Sequence, residues 1–257
     1  MATEEELATV RPRLFGLIAE ERIKAVDIAR PPRELLDSFF ELTDLASAVS
    51  DALDELGLGA GAAASTLAPI AARQRIVGPA ITIRYVPQGG SVAAFESSGE
   101  PARLADRDLY NVGQPGDVAM FDCGGHVGAS VMGGLSAAWA KRVGMAGCIV
   151  DGAVRDVQGI REEGVAVWAR GFTPVSGKHR MEAIEINGSV TIAGMAVHPG
   201  DVVVADDTGV CVIPASAVEA VRDIAIEAER AERDVVAAIS SGATPEEVAR
   251  ILRPERW

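Results

Sequence analysis

The apolar positions of this chain change period several times, and each change marks an element. In the first thirty residues Leu7, Val10, Leu14, Leu17 and Ile18 fall at helical spacing until Arg30-Pro31-Pro32 breaks the run. The pattern predicts an N-terminal helical extension over residues 1–32. "LASAVSDALDELG" (45–57) is a second helical pattern with Gly57 as its stop, and the small-residue loop "GLGAGAAAST" follows. From Arg75 the period shortens. "RIVGPAITIRYV" (75–86) is rich in β-branched residues and predicts a strand bent or bulged at Gly78-Pro79. Residues 88–116 have no clear period.

Beyond them comes a regular alternation: strand "DVAMFD" (117–122), helix "GGLSAAWAKRVG" (133–144), strand "GCIVD" (147–151), helix "VQGIREEG" (157–164), strand "VAVWAR" (165–170). Strands and helices alternating over short links imply a parallel sheet with right-handed crossovers. A β-rich tail runs from "EAIEING" through "VVVADDTGVCVIP", with Asn187-Gly188 in the pattern of a tight hairpin. Pro115-Gly116-Asp117-Val118 recurs as Pro199-Gly200-Asp201-Val202, read as a shared turn-into-strand device rather than a true repeat. An amphipathic helix runs from Pro214 to about Ser240, and Thr244, Pro245 and Glu247 open a last short helix with a capping box. No stretch has the composition of a linker. The division is therefore a helical extension (1–32), one α/β domain with its C-terminal helix (33–241) and a short final helix (242–257).

Composition narrows the partners. The net charge of −13 argues against nucleic acid and anionic membrane, which both need basic surface. A small anionic substrate stays open if a few cations are focused in one cleft. No apolar run reaches the ~20 residues of a membrane span. The acidic start "MATEEELATV" lacks the apolar core of a secretory signal. The three cysteines, Cys123, Cys148 and Cys211, lie far apart in or beside apolar runs, which suits reduced, buried thiols. The expected location is the cytoplasm.

In parallel α/β sheets ligands bind beyond the carboxyl ends of strands. Three such ends can be placed: Asp122, Asp151 through Asp156, and Arg170. The first leads into "CGGHVGASVMGGLS", whose glycines precede a helix. Free N–H groups and the helix dipole there suit a carboxylate or phosphate, though small residues also let a helix pack close to a sheet. The glycines do not fall as G-x-G-x-x-G, which disfavours a dinucleotide fold with Asp151 on a ribose. His126, His179 and His198 do not form a zinc pattern; His126, in the Gly-rich loop, is a candidate acid or base. Arg155 offers a planar cation for a carboxylate or enolate oxygen, and Asp156 a carboxylate for a hydrated Mg²⁺. The plainer reading makes Asp156 a helix cap and Arg155 its surface partner.

At these residues the chain resembles a known family. "GGLSAAWAKRVGMAGCIVDGAVRD" (133–156) is very similar to the signature of the RraA-like family. That family includes the class II 4-hydroxy-4-methyl-2-oxoglutarate/4-carboxy-4-hydroxy-2-oxoadipate aldolases and the regulators of ribonuclease E activity. The likeness extends to "AVSDALDELGL", "RIVGPAITIR" and "VHPGDVVVADDTGVCVIP", about residues 40–240 in all. It implies a swivelling β/β/α fold of the phosphohistidine-domain type, assembled as a homotrimer or hexamer with sites between subunits.

By the same resemblance, Arg155 binds substrate and Asp156 holds Mg²⁺ or Mn²⁺. The backbone at Gly134, Leu135 and Ser136 takes the pyruvate carboxylate, and Glu232 (or Glu229) of a neighbour's C-terminal helix completes the metal site. The implied reaction is carbon–carbon cleavage of a 2-oxo acid through a pyruvate enolate. The other implied role is a non-catalytic, protein-binding regulator. One departure stands out: the aldolases carry an acidic residue where this chain has Gly134.

Overall fold

The computed structural model describes residues 1–59 and 61–252. Helices α1 (Glu4–Val10), α2 (Arg33–Ser38) and α3 (Leu45–Glu55) come first, then strands β1 (Ala62–Ala63), β2 (Ala68–Pro69) and β3 (Ile76–Pro87). Next are α4 (Val92–Ser98), α5 (Asp106–Val112), β4 (Val118–Asp122), β5 (Ser130–Met132) and α6 (Gly134–Val143). The chain continues with β6 (Gly147–Val154), α7 (Val157–Glu163), β7 (Val167–Phe172) and β8 (Met181–Ile186). It closes with β9 (Val190–Ile192), β10 (Met195–Val197), β11 (Val202–Ala205), β12 (Gly209–Ile213), α8 (Val218–Ser240) and α9 (Pro245–Ile251).

The fold is mixed α/β. β3, β4, β6 and β7 run parallel at the centre of one sheet, as the alternation of periods predicts. Antiparallel strands flank them: β11 and β12 beyond β3, and β2 beyond β7. The two edge strands, β1 and β2, are joined by the short link 64–67, so the sheet curls nearly closed. β4 and β6 are buried along their whole length, which is why they read as continuous apolar runs. The Pro-Gly-Asp-Val device is used twice, as expected. Gly116 and Gly200 both take φ +93, and the buried Asp117 and Asp201 each accept backbone N–H groups just before β4 and β11.

Three expectations are corrected. The N-terminal segment is not one long helix: α1 ends at Val10, two 3-10 turns follow, and Gly16 (φ +72) turns the chain. Pro12 removes a helical donor, and Leu7, Val10, Ile18 and Ile23 reach the main core as a wrap over it rather than as one helix face. The irregularity in β3 lies between Arg84 and Tyr85, not at Gly78-Pro79; a side chain at Gly78 would run into the Gly116 carbonyl.

Asn187-Gly188 does not close a hairpin, since β8 pairs with β3. Asn187 (φ +51) instead uses its side chain to accept the Thr82 N–H and to donate to the Ala25 carbonyl. The tight hairpin is at Ala193-Gly194, both with positive φ, joining β9 to β10. Val218, Val221 and Ala225 of α8 are buried against α3 within the same chain. Val236 and Ile239 of the same helix are exposed.

The last helix is capped by Thr244 and Glu247 as the sequence predicts, while positions 253–257 of the 242–257 segment lie outside the described residues. All three cysteines are free and buried, and burial pushes Cys148 and Cys211 up to about 12, so neither offers a thiolate. Among the described residues no helix is long and apolar enough to cross a membrane.

Candidate active site

The charges of "IVDGAVRD" separate into one within β6 and two beyond its end. β6 runs on past Asp151 to Val154, so Asp151 sits within the strand and points away from the end of it. Its carboxylate accepts from Arg170 Nε at 2.5 Å and from the Ala193 N–H at 2.8 Å, tying β7 to the β9–β10 hairpin. Asp122 lies nearby on β4, with Arg84 Nε at 3.4 Å and the Thr191 N–H at 3.3 Å. Asp122, Asp151 and Arg170, expected at strand ends, form a buttress in which only Asp122 ends its strand, and no hydrogen bond or ion pair joins them to Arg155 or Asp156 among the described residues.

Arg155 and Asp156 lie beyond the carboxyl end of β6. The Arg155 N–H donates to the Met132 carbonyl, carrying the β5–β6 pairing one residue further. Asp156 then takes φ +55, a left-handed conformation that is strained for a residue with a side chain, and turns the chain into α7. It stands where a cap would stand but makes no side-chain cap to α7. Its Oδ2 instead accepts the Gly134 N–H at 3.3 Å and lies 3.2 Å from Arg155 Nε. Asp156 thus holds the cap position of α7 with Arg155 as its half-exposed partner, as the plain reading has it, but its side chain bonds α6 instead of capping α7.

The helix it reaches is α6. Gly133, its cap, has no room for a side chain: a Cβ there would lie 2.7 Å from Asp156 Oδ2 and 3.1 Å from Arg155 Cγ. Gly134 N–H goes to Asp156 and Ala137 N–H to the Gly133 carbonyl. Among the described residues the N–H groups of Leu135 and Ser136 have no partner, and they carry the positive end of the α6 dipole. An open cleft of about 320 Å³ lies over them, walled by Asp106, Arg107, Met132, Arg155, Asp156 and Lys178. Three cations around a helix N-terminus suit an anionic ligand. Ser136 Oγ is held behind the cleft, 3.0 Å from the Tyr110 hydroxyl.

Of the residues singled out from the sequence, Arg155, Asp156, Gly134, Leu135 and Ser136 come together at this cleft. His126 does not line it; the loop carrying it closes by donating the His126 N–H to the Cys123 carbonyl. Glu232 does not line the cleft of its own chain either. It faces a groove between α3 and α8 with Asp51, Glu55 and Glu229, and burial, followed by the negative charges of Glu229, Asp51 and Asp44, raises its carboxyl. Among the described residues no three His, Cys, Asp or Glu converge as a metal site. Asp106, Arg107 and Lys178 were not read as cleft residues. The first two fall in the stretch without a period, and the one signal there, an acidic residue opening a helix, points to a cap rather than a site.

Residues 46–212 match the family described as "RraA-like: Aldolase/RraA", and the chain belongs to that family. Protein DlpA of Legionella pneumophila is 33% identical over 199 residues, which take up 77% of this chain but only 31% of DlpA. A protein of Halalkalibacterium halodurans named "Putative 4-hydroxy-4-methyl-2-oxoglutarate aldolase" is 32% identical over 166 residues, 65% of this chain and 70% of that one. Among solved structures, Streptomyces coelicolor RraAS2, titled an unusual member of the RNase ES inhibitor RraA protein family, superposes with a TM-score of 0.68. It is 29% identical, with 80% of this chain and 98% of that chain covered.

Proposed function

We propose that this protein is a divalent-metal-dependent carbon–carbon lyase acting on a 2-oxo acid, by decarboxylation of oxaloacetate, retro-aldol cleavage of 4-hydroxy-2-oxo diacids, or both. The observation that carries it is the placement of Asp156. A strained aspartate is drawn off its own helix to the N-terminus of another, with Arg155 beside it and two free N–H groups facing the same cleft. In this reading the Leu135 and Ser136 N–H groups seat the substrate carboxylate, and Arg155 faces the 2-oxo oxygen. When the C–C bond breaks, its electron pair moves into the 2-oxo group, and Arg155 stabilises the resulting enolate.

The donor set fits a hydrated Mg²⁺ or Mn²⁺. One exposed carboxylate without a converging third ligand suits an ion that keeps most of its waters, not a zinc cage. Such an ion, when bound, would draw electron density from the 2-oxo group.

Leu135 supports a shared site: it is 86% exposed at the lip of the cleft, an apolar residue that a second copy would cover. A homotrimer or hexamer bringing Glu232 of a neighbour to Asp156 is the assembly this reading expects. A monomer at micromolar concentration in sedimentation would contradict it.

Gly134 and the likeness to RraAS2 support a second reading, a trimeric protein-binding regulator with an idle pocket. Turnover of oxaloacetate and of 4-hydroxy-4-methyl-2-oxoglutarate, with and without Mg²⁺, separates the two. The lyase turns over one of them only with metal, and the regulator neither.

A further inference from the structure

We propose that the N-terminal segment takes part in the cleft: Phe15 positions the guanidinium of Arg107, and Arg107 binds the second carboxylate of a 2-oxo diacid. The proposal rests on the lyase reading above, which leaves Arg107 without a task. In that reading the Leu135 and Ser136 N–H groups take one carboxylate, and Arg155 faces the 2-oxo oxygen. Two cations of the cleft wall then remain, Lys178 and Arg107. Lys178 Nζ already has a carboxylate, Glu96, at 3.6 Å. Arg107 Nε lies 3.9 Å from Asp106 Oδ1, and among the described residues the guanidinium makes no hydrogen bond. Its planar fork of donors is left to take a carboxylate with two parallel bonds, a geometry that an ammonium does not match.

What holds Arg107 at the cleft comes from the start of the chain. Its guanidinium carbon lies 5.5 Å from the centroid of the Phe15 ring, and that ring meets Trp139 of α6 edge-on at 5.0 Å. Phe15 is itself fixed. Asp108 accepts the Phe15 and Leu17 N–H groups, each at 2.6 Å. Asn111 donates Nδ2 to the Arg13 carbonyl at 2.7 Å and accepts from Trp139 Nε1 at 3.1 Å. Arg107 and Asn111 are one turn apart on α5, so the face that carries Arg107 is the face this segment crosses. The segment thus ties α5 to α6, the two helices whose first turns wall the cleft. It lies outside residues 46–212, the part of the chain that matches the family.

The plainer reading is a surface arginine laid over a nearby ring. Two observations oppose it. Arg107 sits in the first turn of α5, where the helix dipole disfavours a cation, so helix stability does not account for it. Phe15 stays 50% exposed, so its place is set by the Arg107 and Trp139 contacts more than by burial. A guanidinium already stacked on a ring loses less freedom when it binds a ligand, which is what a positioning residue supplies.

The test compares ligands with and without the second carboxylate. With Mg²⁺ present, KM is measured for oxaloacetate and for 4-hydroxy-4-methyl-2-oxoglutarate. Ki is measured for 2-oxobutanoate, which matches oxaloacetate but ends in a methyl group. Arg107→Gln should raise KM for the diacid that is turned over by about 10–100-fold, the scale of a lost charge-assisted bond, and leave the Ki within about threefold. Phe15→Leu should move KM the same way by about 3–10-fold with kcat little changed. Phe15→Tyr keeps a ring under the guanidinium and should return KM to the wild-type value. Circular dichroism checks folding, and Phe15→Met replaces Phe15→Leu if the latter does not fold. A folded Arg107→Gln with an unchanged KM overturns the assignment of Arg107, and so does one that weakens 2-oxobutanoate as much as the diacid. An unchanged KM in Phe15→Leu, or a loss that Phe15→Tyr does not repair, overturns the positioning role. A wild type that turns over neither diacid overturns the lyase reading, and the assignment of Arg107 with it.

Discussion

Asp156 begins α7, but its carboxylate belongs to α6: Oδ2 accepts the Gly134 N–H at 3.3 Å. This cross-helix bond joins the strand end that carries Arg155 to the helix start that carries the free N–H groups. It also explains why Gly133, the cap of α6, has no room for a side chain while Gly134 does.

At Gly133 an added Cβ would meet Asp156 Oδ2 at 2.7 Å and Arg155 Nε at 3.3 Å, whereas at Gly134 it would meet Asp156 Cβ at an ordinary 3.7 Å. Gly133→Ala should therefore displace the Arg155–Asp156 pair and lower metal-dependent turnover at least about 10-fold, the scale of a misplaced catalytic group. Gly134→Asp should fold, because neither space nor a positive φ opposes it. It restores the carboxylate of the aldolases and should raise retro-aldol turnover more than decarboxylation. Steady-state kinetics on both substrates, with circular dichroism for folding, reads both outcomes. A folded Gly134→Asp with no gain in aldol cleavage would mean another residue supplies the base.

The contrast between those glycines marks what the sequence made legible. The alternation from 117 to 170 foretold the parallel strands because buried strands and amphipathic helices differ in period whatever surrounds them. Gly-Gly-Leu and Arg-Asp were legible because both ends of the cleft carry a recognisable local pattern. Asp106 was not. It lines the same cleft as Ser136 of another helix, and nothing near it in sequence records that neighbourhood. Asn187-Gly188 misled for a related reason: Asn187 takes its positive φ to place a side chain on Thr82, a partner 105 positions away.

Asp108 is one of the buried groups that hold the N-terminal segment. Asp108 is fully buried and accepts the Phe15 and Leu17 N–H groups, each at 2.6 Å, while Phe15 packs edge-on against Trp139 of α6. Asp108→Ala removes the acceptor of both partly exposed donors and should cost about 1–3 kcal/mol, the scale of one lost buried partner. Urea unfolding should show this as a lower midpoint. An unchanged midpoint would mean the segment contributes nothing to the fold.

Acid should loosen the contact between α3 and α8. Burial tends to raise the Glu229 carboxyl, but the bonds from Thr43 and the Arg233 guanidinium outweigh it and hold the group below its ordinary value. A lowered folded value means the stabilisation is present above the unfolded value of about 4.3 and is lost as pH falls through the folded one. Glu229→Gln should therefore flatten the acid limb of a stability-versus-pH curve below about pH 4.5 and reduce stability little at lower pH. Thermal melts across pH 3–7 give the comparison, and parallel curves for variant and wild type would remove Glu229 from the account.

The central claim is that Arg155 and Asp156 form a metal-dependent site for 2-oxo acid cleavage, and Asp156→Asn tests it most directly. Asparagine still accepts the Gly134 N–H, so the α6–α7 link and the fold should survive. It lacks the charge that holds a divalent ion. Initial rates of oxaloacetate loss, titrated with Mg²⁺ after EDTA treatment, should rise and saturate for wild type and stay at the uncatalysed level for the folded variant. Equal rates for the two proteins, or full wild-type activity in EDTA, would contradict the claim.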